Sequence, residues 1–324
     1  MSEADSSVIL RVDHLTKHFP VSGGKVVHAV DDVSFSITEG KTLGLVGESG
    51  CGKSSCARTV IRIYDPTSGQ IILDGTDITT LSQKQLMPHR RKMQMIFQDP
   101  YASLNARMTV QDIVAEPLRA HKICKSKAEE HEMVADMLHQ VGLSQEHANR
   151  YAHEFSGGQR QRVGIARALI LHPRLVICDE PISALDVSIQ AQVINMLRTF
   201  QEEQNLTYLF IAHDLSMVRY VSDDVGVMYL GQLVEKCEAD EIYAHPLHPY
   251  TQGLLSSVPI PDPVLARQKE SAGIAGDIPS PIDPPAGCRF HTRCPYAMER
   301  CRTEVPEFAE AAPGHFVACH NINR

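Results

Sequence analysis

The chain has 324 residues, of which 43% are hydrophobic, so it can bury a normal core. This length exceeds one typical domain of about 100–200 residues, and we expect one large domain with an appendage. The chain has 31 lysines and arginines against 39 aspartates and glutamates, and the net charge of −8 argues against nucleic acid as the main partner.

The N-terminal seven residues are polar and acidic, unlike a signal peptide. No apolar run approaches the roughly 18–20 residues of a membrane span. We therefore expect a cytosolic protein that can dock on a membrane protein. Of its nine cysteines, five are scattered from Cys51 to Cys237 and four follow residue 287. Because cytosolic thiols stay reduced, the four indicate a metal site more than disulfides.

The beginning of the chain is predicted to be rich in β-strands. Apolar and alternating runs predict strands over 8–12, 26–30 and 33–37, and a buried strand over 43–46. Phe19 falls in the connection after the first strand. From spacing alone, its ring could either stack on a base or belong to the core.

Residues 47–54 fit the G-x-x-x-x-G-K-[ST] pattern of a phosphate-binding P-loop. A strand before it and a helix predicted over 54–63 supply the expected context. We expect Lys53 to reach the β- and γ-phosphates and Ser54 to hold Mg²⁺. The alternative is an incidental glycine-rich turn. The predicted nucleotide-binding residues of this segment are Gly47, Ser49, Gly50, Cys51, Gly52, Lys53, Ser54 and Ser55.

Two more predicted strands end in polar groups. A strand over 93–97 leads to Gln98, and a strand over 175–180 ends in Asp179 and Glu180, a Walker B pattern. Ligands of open α/β sheets lie at the carboxyl ends of strands. We expect Asp179 to bind Mg²⁺ through water and Glu180 to polarise the hydrolytic water. Gln98 is interpreted as a contact to Mg²⁺ or the attacking water, with an ordinary loop residue as the alternative.

A helical subdomain is predicted over about 100–171, because apolar residues recur at helical spacing. Within it, Ser156 is a good N-cap, and Gly157, Gly158 and Gln159 start a helix whose N–H groups can face an anion. The P-loop already serves the phosphates of this chain. A second anion-binding helix start makes sense if it serves a nucleotide bound by another copy.

The order of these motifs resembles the ATP-binding cassette (ABC) family over about residues 8–238. The resemblance implies an α/β fold: a P-loop NTPase with a RecA-like core, an N-terminal antiparallel β-subdomain and a helical signature subdomain. It also implies that two cassettes pair head to tail, with Ser156–Gln159 acting on the partner's nucleotide. His213, after the strand over 207–211, would then contact the γ-phosphate, and Phe19 would stack on adenine.

Residues 239–324 are predicted to be a small C-terminal cysteine-rich extension. Residues 245–251 resemble the His-Pro-Tyr motif of oligopeptide and dipeptide permease ATPases, and a proline-rich linker follows. In that family the equivalents of the four late cysteines are implicated in a [4Fe–4S] cluster, expected here to lie apart from the ATP site. Four thiolates also suit Zn²⁺, and unliganded or disulfide-bonded cysteines remain open. The cysteines are Cys288, Cys294, Cys301 and Cys319, and His291, His315 and His320 keep mixed ligation possible.

The resemblance implies the ATP-hydrolysing subunit of a dipeptide or oligopeptide importer, peripheral on the cytoplasmic face of the inner (plasma) membrane. Its implied partners are a homologous sister ATPase, two transmembrane permease subunits and an extracytoplasmic peptide-binding protein. Tyr101 and Leu104 fall where the family receives a helix of the transmembrane partner. The alternatives are another cargo (a nickel complex, glutathione or an opine) and a soluble cassette ATPase acting on ribosomes or DNA.

Overall fold

The computed structural model describes residues 7–183, 185–213, 215–257, 274 and 276–322. These residues belong to two compact units. The first comprises Met1–Leu10, Ile37–Lys41 and Ile72–Ile211, and the second comprises Arg11–Ser36, Thr42–Ile71 and Ala212–Arg324. The division cuts across the boundaries at 8–238 and 239–324, which stay a prediction.

The first unit contains three parallel strands, adjacent in the order β8-β7-β6. They are β6 (Met93–Ile96), β7 (Leu175–Asp179) and β8 (Thr207–Ile211), and β7 and β8 are buried along their whole length. Continuous apolar runs are typical of parallel strands that are covered on both faces. This explains why the sequence predicted these three strands to within one residue.

The helical part of the first unit confirms the predicted helical spacing. Its helices begin at side-chain caps: Thr109 accepts the N–H of Asp112 at 3.2 Å, and Ser126 accepts the N–H of Glu129 at 3.2 Å. Gly142 follows the second of them with φ +73° and closes it. The helices of this unit are α2 (Gln83–Lys92), α3 (Pro100–Ser103), α4 (Val110–Ala120), α5 (Lys127–Gln140), α6 (Gly157–Leu169) and α7 (Val187–Gln204), with short 3₁₀ turns at Gln145–Asn149 and Ala152–Glu154.

Five strands of the second unit are neighbours in one sheet, in the order β11-β12-β10-β9-β3. They are β3 (Thr42–Val46), β9 (Asp224–Tyr229), β10 (Gln232–Glu238), β11 (Ala309–Ala312) and β12 (His315–Val317). The pair β3–β9 is parallel, whereas β12 pairs antiparallel with β10. The C-terminal tail therefore extends this sheet. The helices are α1 (Lys53–Val60), α8 (Leu215–Val221), α9 (Ala239–Ala244), α10 (Pro249–Ser256) and α11 (Arg300–Thr303).

Two long strands replace the short ones predicted near the N-terminus. β1 runs over Val8–Val21 and β2 over Lys25–Thr38, so the predictions of a strand ending at residue 12 and of two strands within 26–37 were wrong. The strands continue through two residues with positive φ, His14 and Asp32. Their side chains bond each other at 2.6 Å across the irregular segment. The remaining strands are β4 (Ser68–Leu73) and β5 (Thr76–Asp77), an antiparallel pair.

Every helix among the described residues is too short or too polar to cross a bilayer.

Candidate nucleotide site and cysteine-rich tail

The P-loop follows β3 in the second unit, and its outer glycines are required by close backbone contacts. Gly52 has φ +109°, and a Cβ there would lie 2.1 Å from the carbonyl oxygen of Ala29. Gly47 has φ +149°, and its Cβ would lie 2.3 Å from the carbonyl oxygen of Met228. No other residue fits either position without moving backbone. The neighbouring strands thus fix the tight turn that the motif predicted.

Lys53 is the first residue of α1 and is only 4% exposed. Its Nζ donates to the carbonyl oxygens of Gly47 at 2.8 Å and Glu48 at 3.0 Å, and lies 3.6 Å from Cys51 Sγ. Burial raises the pKa of the Cys51 thiol, which Lys53 partly opposes, so the thiol stays neutral. The ammonium group is therefore the one positive side-chain charge of residues 47–54 and is held inside their turn. Ser54 and Ser55 are half-buried in the first turn of α1, and Ser49 is exposed.

Phe19 lies within β1 and not in a connection after it. Its ring packs edge-on against Tyr64 with centroids 5.2 Å apart, and Lys17 Nζ lies 4.8 Å from the ring centre. The side chain is half-buried.

The Walker B carboxylates close β7 in the first unit. Asp179 is fully buried, and Glu180 is 5% exposed with a left-handed φ of +48°. Gln98 Nε2 donates to Glu180 Oε2 at 2.5 Å. The structure thus brings Gln98 and Glu180 together at the strand ends, where the sequence predicted both. A non-glycine residue with positive φ is strained, and such strain occurs often at functional sites.

The signature segment starts α6 in the first unit with a reciprocal cap. Ser156 Oγ accepts the N–H of Gln159 at 3.4 Å, and Gln159 Oε1 accepts the N–H of Ser156 at 3.1 Å. A Cβ on Gly158 would lie 2.8 Å from Ile189 Cγ2. A Cβ on Gly157 would meet no described atom within 4 Å. Packing within the described chain therefore requires glycine at 158 but not at 157.

His213 follows β8, belongs to the second unit and is exposed. Its neighbour Asp214 lies outside the described residues, as does Ala184, four residues after Glu180.

Three of the four late cysteines share one local arrangement. The sulfurs of Cys288, Cys294 and Cys319 each accept a backbone N–H from the second residue onward. Burial raises the pKa of Cys288 to about 11, and the nearness of the other three thiols adds to this rise. All four are free thiols, so the structure contains none of the disulfides that the sequence left open.

The histidines near these cysteines have other partners. His315 Nε2 lies 2.7 Å from Glu235 Oε1, and both side chains are buried. His291 Nδ1 lies 2.8 Å from the carbonyl oxygen of Cys288, and His320 Nε2 lies 3.0 Å from that of Glu304. One ring nitrogen of each histidine is therefore engaged, an arrangement that metal-bound histidines also have, so mixed ligation stays open.

The His-Pro-Tyr segment is fixed by the buried Glu235 of β10. Glu235 accepts the N–H groups of Leu247 at 2.6 Å and His248 at 3.0 Å. His248 then caps α10 by accepting the N–H of Tyr250 at 3.0 Å. Burial lowers the pKa of His248 to about 4, an effect that Glu235 partly opposes. The imidazole is therefore a neutral acceptor at pH 7.

The tail also contacts the P-loop, while the expectation that the cysteine cluster lies apart from the ATP site stays a prediction. Tyr250 Oη accepts the N–H of Glu48 at 2.8 Å. Arg293 binds both carboxylate oxygens of Glu48, at 2.7 and 3.0 Å. Sequence reasoning missed Glu48 and Arg293. The available signals were the His-Pro-Tyr motif and an arginine directly before Cys294.

Tyr101 and Leu104, which are expected to lie where a helix of the transmembrane partner docks, differ in exposure. Tyr101 is 61% exposed and lies under the guanidinium of Arg160, 3.9 Å from the ring centre. Leu104 is only 5% exposed. Its side chain is packed within its own chain, and the coupling role expected of Leu104 stays a prediction.

Comparisons with known proteins connect these parts. The family model for "ABC transporter" matches residues 30–183, and that for "Oligopeptide/dipeptide transporter, C-terminal region" matches residues 234–301. The chain is 56% identical to the oligopeptide transport ATP-binding protein AppF of Bacillus subtilis, over 99% of each chain. The chain belongs to the ABC transporter ATP-binding proteins. As an ABC ATPase, it hydrolyses ATP in a transport complex.

Other relatives agree with this family. The chain is 54% identical to the oligopeptide transport ATP-binding protein OppF of Bacillus subtilis, over 96% of each chain. Among solved structures, it is similar to the dimeric ATP-binding cassette MJ0796 bound to ADP and Pi, with 27% identity and a TM-score of 0.66, covering 71% of this chain and 98% of that one. It is also similar to cbiO1 of Clostridium perfringens, with 28% identity and a TM-score of 0.64, covering 74% and 92%. The predicted ABC cassette fold is confirmed.

Proposed function

We propose that this ABC ATPase powers the uptake of dipeptides or oligopeptides through a membrane permease. The carrying observation is similarity over nearly the full length to proteins named as oligopeptide transport ATP-binding proteins, together with the C-terminal region of that transporter class. The same machinery with a nickel complex, glutathione or an opine as cargo is the second candidate. In either case, the chain is proposed to be a peripheral subunit on the cytoplasmic face of the inner membrane.

The first test is assembly. Tagged chain purified from detergent-solubilised membranes should bring down a sister ATPase and two permease subunits. A peptide loaded on the extracytoplasmic binding protein should stimulate hydrolysis by the complex. Recovery of ribosomal proteins or DNA in place of permease subunits would contradict the proposal and support the soluble alternative.

The P-loop is the proposed site for the phosphates of ATP. Its turn is fixed by Gly47 and Gly52, and Lys53 places a buried positive charge inside it. Lys53 would bind the β- and γ-phosphates, and Ser54 and Asp179 would hold Mg²⁺. Gly50, Cys51, Ser49 and Ser55 would contribute the remaining loop and helix-start contacts, and Phe19 would stack on adenine.

Hydrolysis is proposed to depend on Glu180. A buried carboxylate fixed by a strained backbone and by Gln98 can orient and polarise a water molecule. Gln98 would also reach Mg²⁺ or the attacking water, and His213 would contact the γ-phosphate. Lys53 and Mg²⁺ would stabilise the charge that develops on the transferred phosphoryl group.

Ser156, Gly157, Gly158 and Gln159 are proposed to act on a nucleotide held by the partner cassette. The open space at Gly157 supports this, because packing within the described chain does not explain a glycine there. The solved relative MJ0796 is a dimeric cassette bound to ADP and Pi. A second cassette meeting this helix start would supply the anion that its N–H groups favour.

Cys288, Cys294, Cys301 and Cys319 are proposed to hold a [4Fe–4S] cluster. Four thiolates are the usual ligands, and hydrogen bonds to the sulfurs tune such clusters. A tetrahedral zinc site is the alternative that the same four thiols allow. The role of either metal group would be to fix the tail.

Metal analysis separates these alternatives. Anaerobically purified chain should contain about four irons and be brown, and Cys294→Ser should lose iron. Cys124 is half-buried and lies outside the tail, so Cys124→Ser serves as the matched control and should retain iron. Stoichiometric zinc without iron, or neither metal, would contradict the cluster.

A further inference from the structure

Glu48 is a P-loop residue held by two residues of the C-terminal tail. Its carboxylate lies in a two-pronged ion pair with Arg293, and its backbone N–H donates to Tyr250 Oη. The three residues belong to the same compact unit although 245 positions separate Glu48 from Arg293. A paired guanidinium and carboxylate combine charge with fixed geometry, so they hold orientation better than a single bond.

The tail residues are themselves rigidly placed. The Arg293 side chain is only 4% exposed, and its Nη1 also lies 3.5 Å from Tyr229 Oη. Tyr250 packs against Tyr229 and Phe290 with ring centroids 4.7 and 5.4 Å away. Neither contact with Glu48 is a flexible surface contact, and removing one partner of a buried ion pair costs more than removing one partner of an exposed pair.

The same residues are tied to the cysteines. Arg293 directly precedes Cys294 in the chain. Phe290, which contacts the Tyr250 ring, donates its backbone N–H to the Cys288 sulfur. These contacts connect Cys288 and Cys294 to the groups that hold Glu48.

We propose that Tyr250 and Arg293 are positioning residues for the P-loop, and that the state of the four-cysteine site sets the affinity of this chain for ATP. The inference rests on the proposed role of residues 47–54 in binding ATP. Arg293 neutralises a carboxylate beside the phosphate-binding turn, and Tyr250 fixes the direction of one of its peptide groups. Loss of either leaves a turn that is less well ordered, and loss of Arg293 also leaves a negative charge that repels ATP.

The test measures ATP binding by the full-length chain without turnover. In a Glu180→Gln background, a fluorescent ATP analogue with Mg²⁺ is titrated against Arg293→Gln and Tyr250→Phe. A lost hydrogen bond to a charged group predicts affinity about 10- to 100-fold weaker for Arg293→Gln, and a lost neutral bond predicts about 2- to 10-fold for Tyr250→Phe. Arg300→Gln, which breaks the exposed pair with Glu304 in the same tail, is the matched control and should bind as the parent does.

A double-mutant cycle separates positioning from general loosening of the tail. If Arg293 acts through Glu48, Arg293→Gln should weaken binding much less when Glu48→Gln is already present. An equal loss in both backgrounds, or unchanged affinity in both single variants, would overturn the inference. Circular dichroism, thermal melting and metal content of each variant show whether it folded and kept its tail site.

The link to the cysteines has its own readout. Removing the tail metal with a chelator, or introducing Cys294→Ser, should weaken binding of the ATP analogue in the parent chain. The same treatment should add little in Arg293→Gln, where the connection is already broken. Affinity that is independent of the cysteine site in the parent would overturn this part. A parent chain that does not bind ATP at all would instead contradict the proposed function of the P-loop.

Discussion

Replacement of Glu180 by glutamine tests the catalytic assignment while changing the shape of the site very little. The side chain is 5% exposed, and among its contacts is a hydrogen bond at 2.5 Å from Gln98. Glutamine keeps an oxygen to accept that bond but loses the charge that polarises water. A charged acceptor contributes about 1 kcal/mol more than a neutral one, so the folded chain should lose only about that much stability.

The effect on turnover should be much larger than the effect on stability. Loss of a positioned general base lowers the rate about 10²- to 10⁴-fold, which is about 2.7–5.4 kcal/mol in the activation barrier. ATP hydrolysis by the assembled complex should therefore nearly cease, while ATP binding to the isolated chain persists. Phosphate release and nucleotide binding, measured on the same preparation, give both quantities.

A matched control uses a second buried carboxylate of the same unit. Glu130 is 7% exposed and accepts two bonds from Arg119, at 2.6 and 2.8 Å. Glu130→Gln should lower the melting temperature but leave the turnover per folded complex unchanged. Unchanged turnover in Glu180→Gln, or equal loss in both variants, would refute the reasoning.

Three other predictions follow from particular contacts. Gly157→Asp should abolish hydrolysis by the complex without weakening ATP binding to the isolated chain, whereas the uncharged Gly157→Asn should retain more activity; loss of binding in the isolated Asp variant would show action within one chain. The pKa of His248 is about 4 in the folded chain against about 6.5 when unfolded, so between pH 6.5 and 4 the unfolded chain binds more protons. The free energy of unfolding should therefore fall by about 3 kcal/mol as the pH drops from 6.5 to 4. Chemical denaturation between pH 7 and 4 measures this slope, which should shrink in His248→Gln if the assignment is right. Tyr101→Ala should uncouple hydrolysis from transport, and cross-linking that finds this side chain free in the assembled complex would refute docking there.

The parts of the fold that local sequence specifies were predictable. Strands such as Leu175–Asp179 are short continuous apolar runs, and such runs are typical of fully buried strands. The cap of α6 was predictable because Ser156 and Gln159 have the spacing of a capping box. The P-loop was predictable because its motif includes glycines at positions 47 and 52, where a side chain would clash with neighbouring backbone.

Other features depend on residues far apart in the chain. The strands β1 and β2 continue past His14 and Asp32, whose side chains bond each other, and a pair of aspartates at 31–32 looks like a turn when taken alone. Leu104 has an apolar side chain that suits a partner surface equally well, and only the packing of the fold shows it to be buried.

The contact of Arg293 with Glu48 could not be predicted for the same reason. Nothing near either residue in sequence indicates a partner 245 positions away. The local signal at Glu48 is a variable position of the P-loop pattern, and the local signal at Arg293 is its neighbour Cys294. Only the sheet that joins the tail strand β12 to β10 shows that the tail and the P-loop share one compact unit.

Transport by the reconstituted complex measures whether ATP hydrolysis by this chain drives peptide uptake. Proteoliposomes containing the permease subunits, the sister ATPase and this chain, with ATP inside on the side of the ATPases, are supplied with a labelled dipeptide on the binding protein. Labelled peptide should accumulate inside the proteoliposomes with the wild-type chain, and none should accumulate with Glu180→Gln. Peptide accumulation at the wild-type rate with Glu180→Gln, or no ATP-dependent accumulation of any peptide by the wild-type complex, would contradict the proposed function.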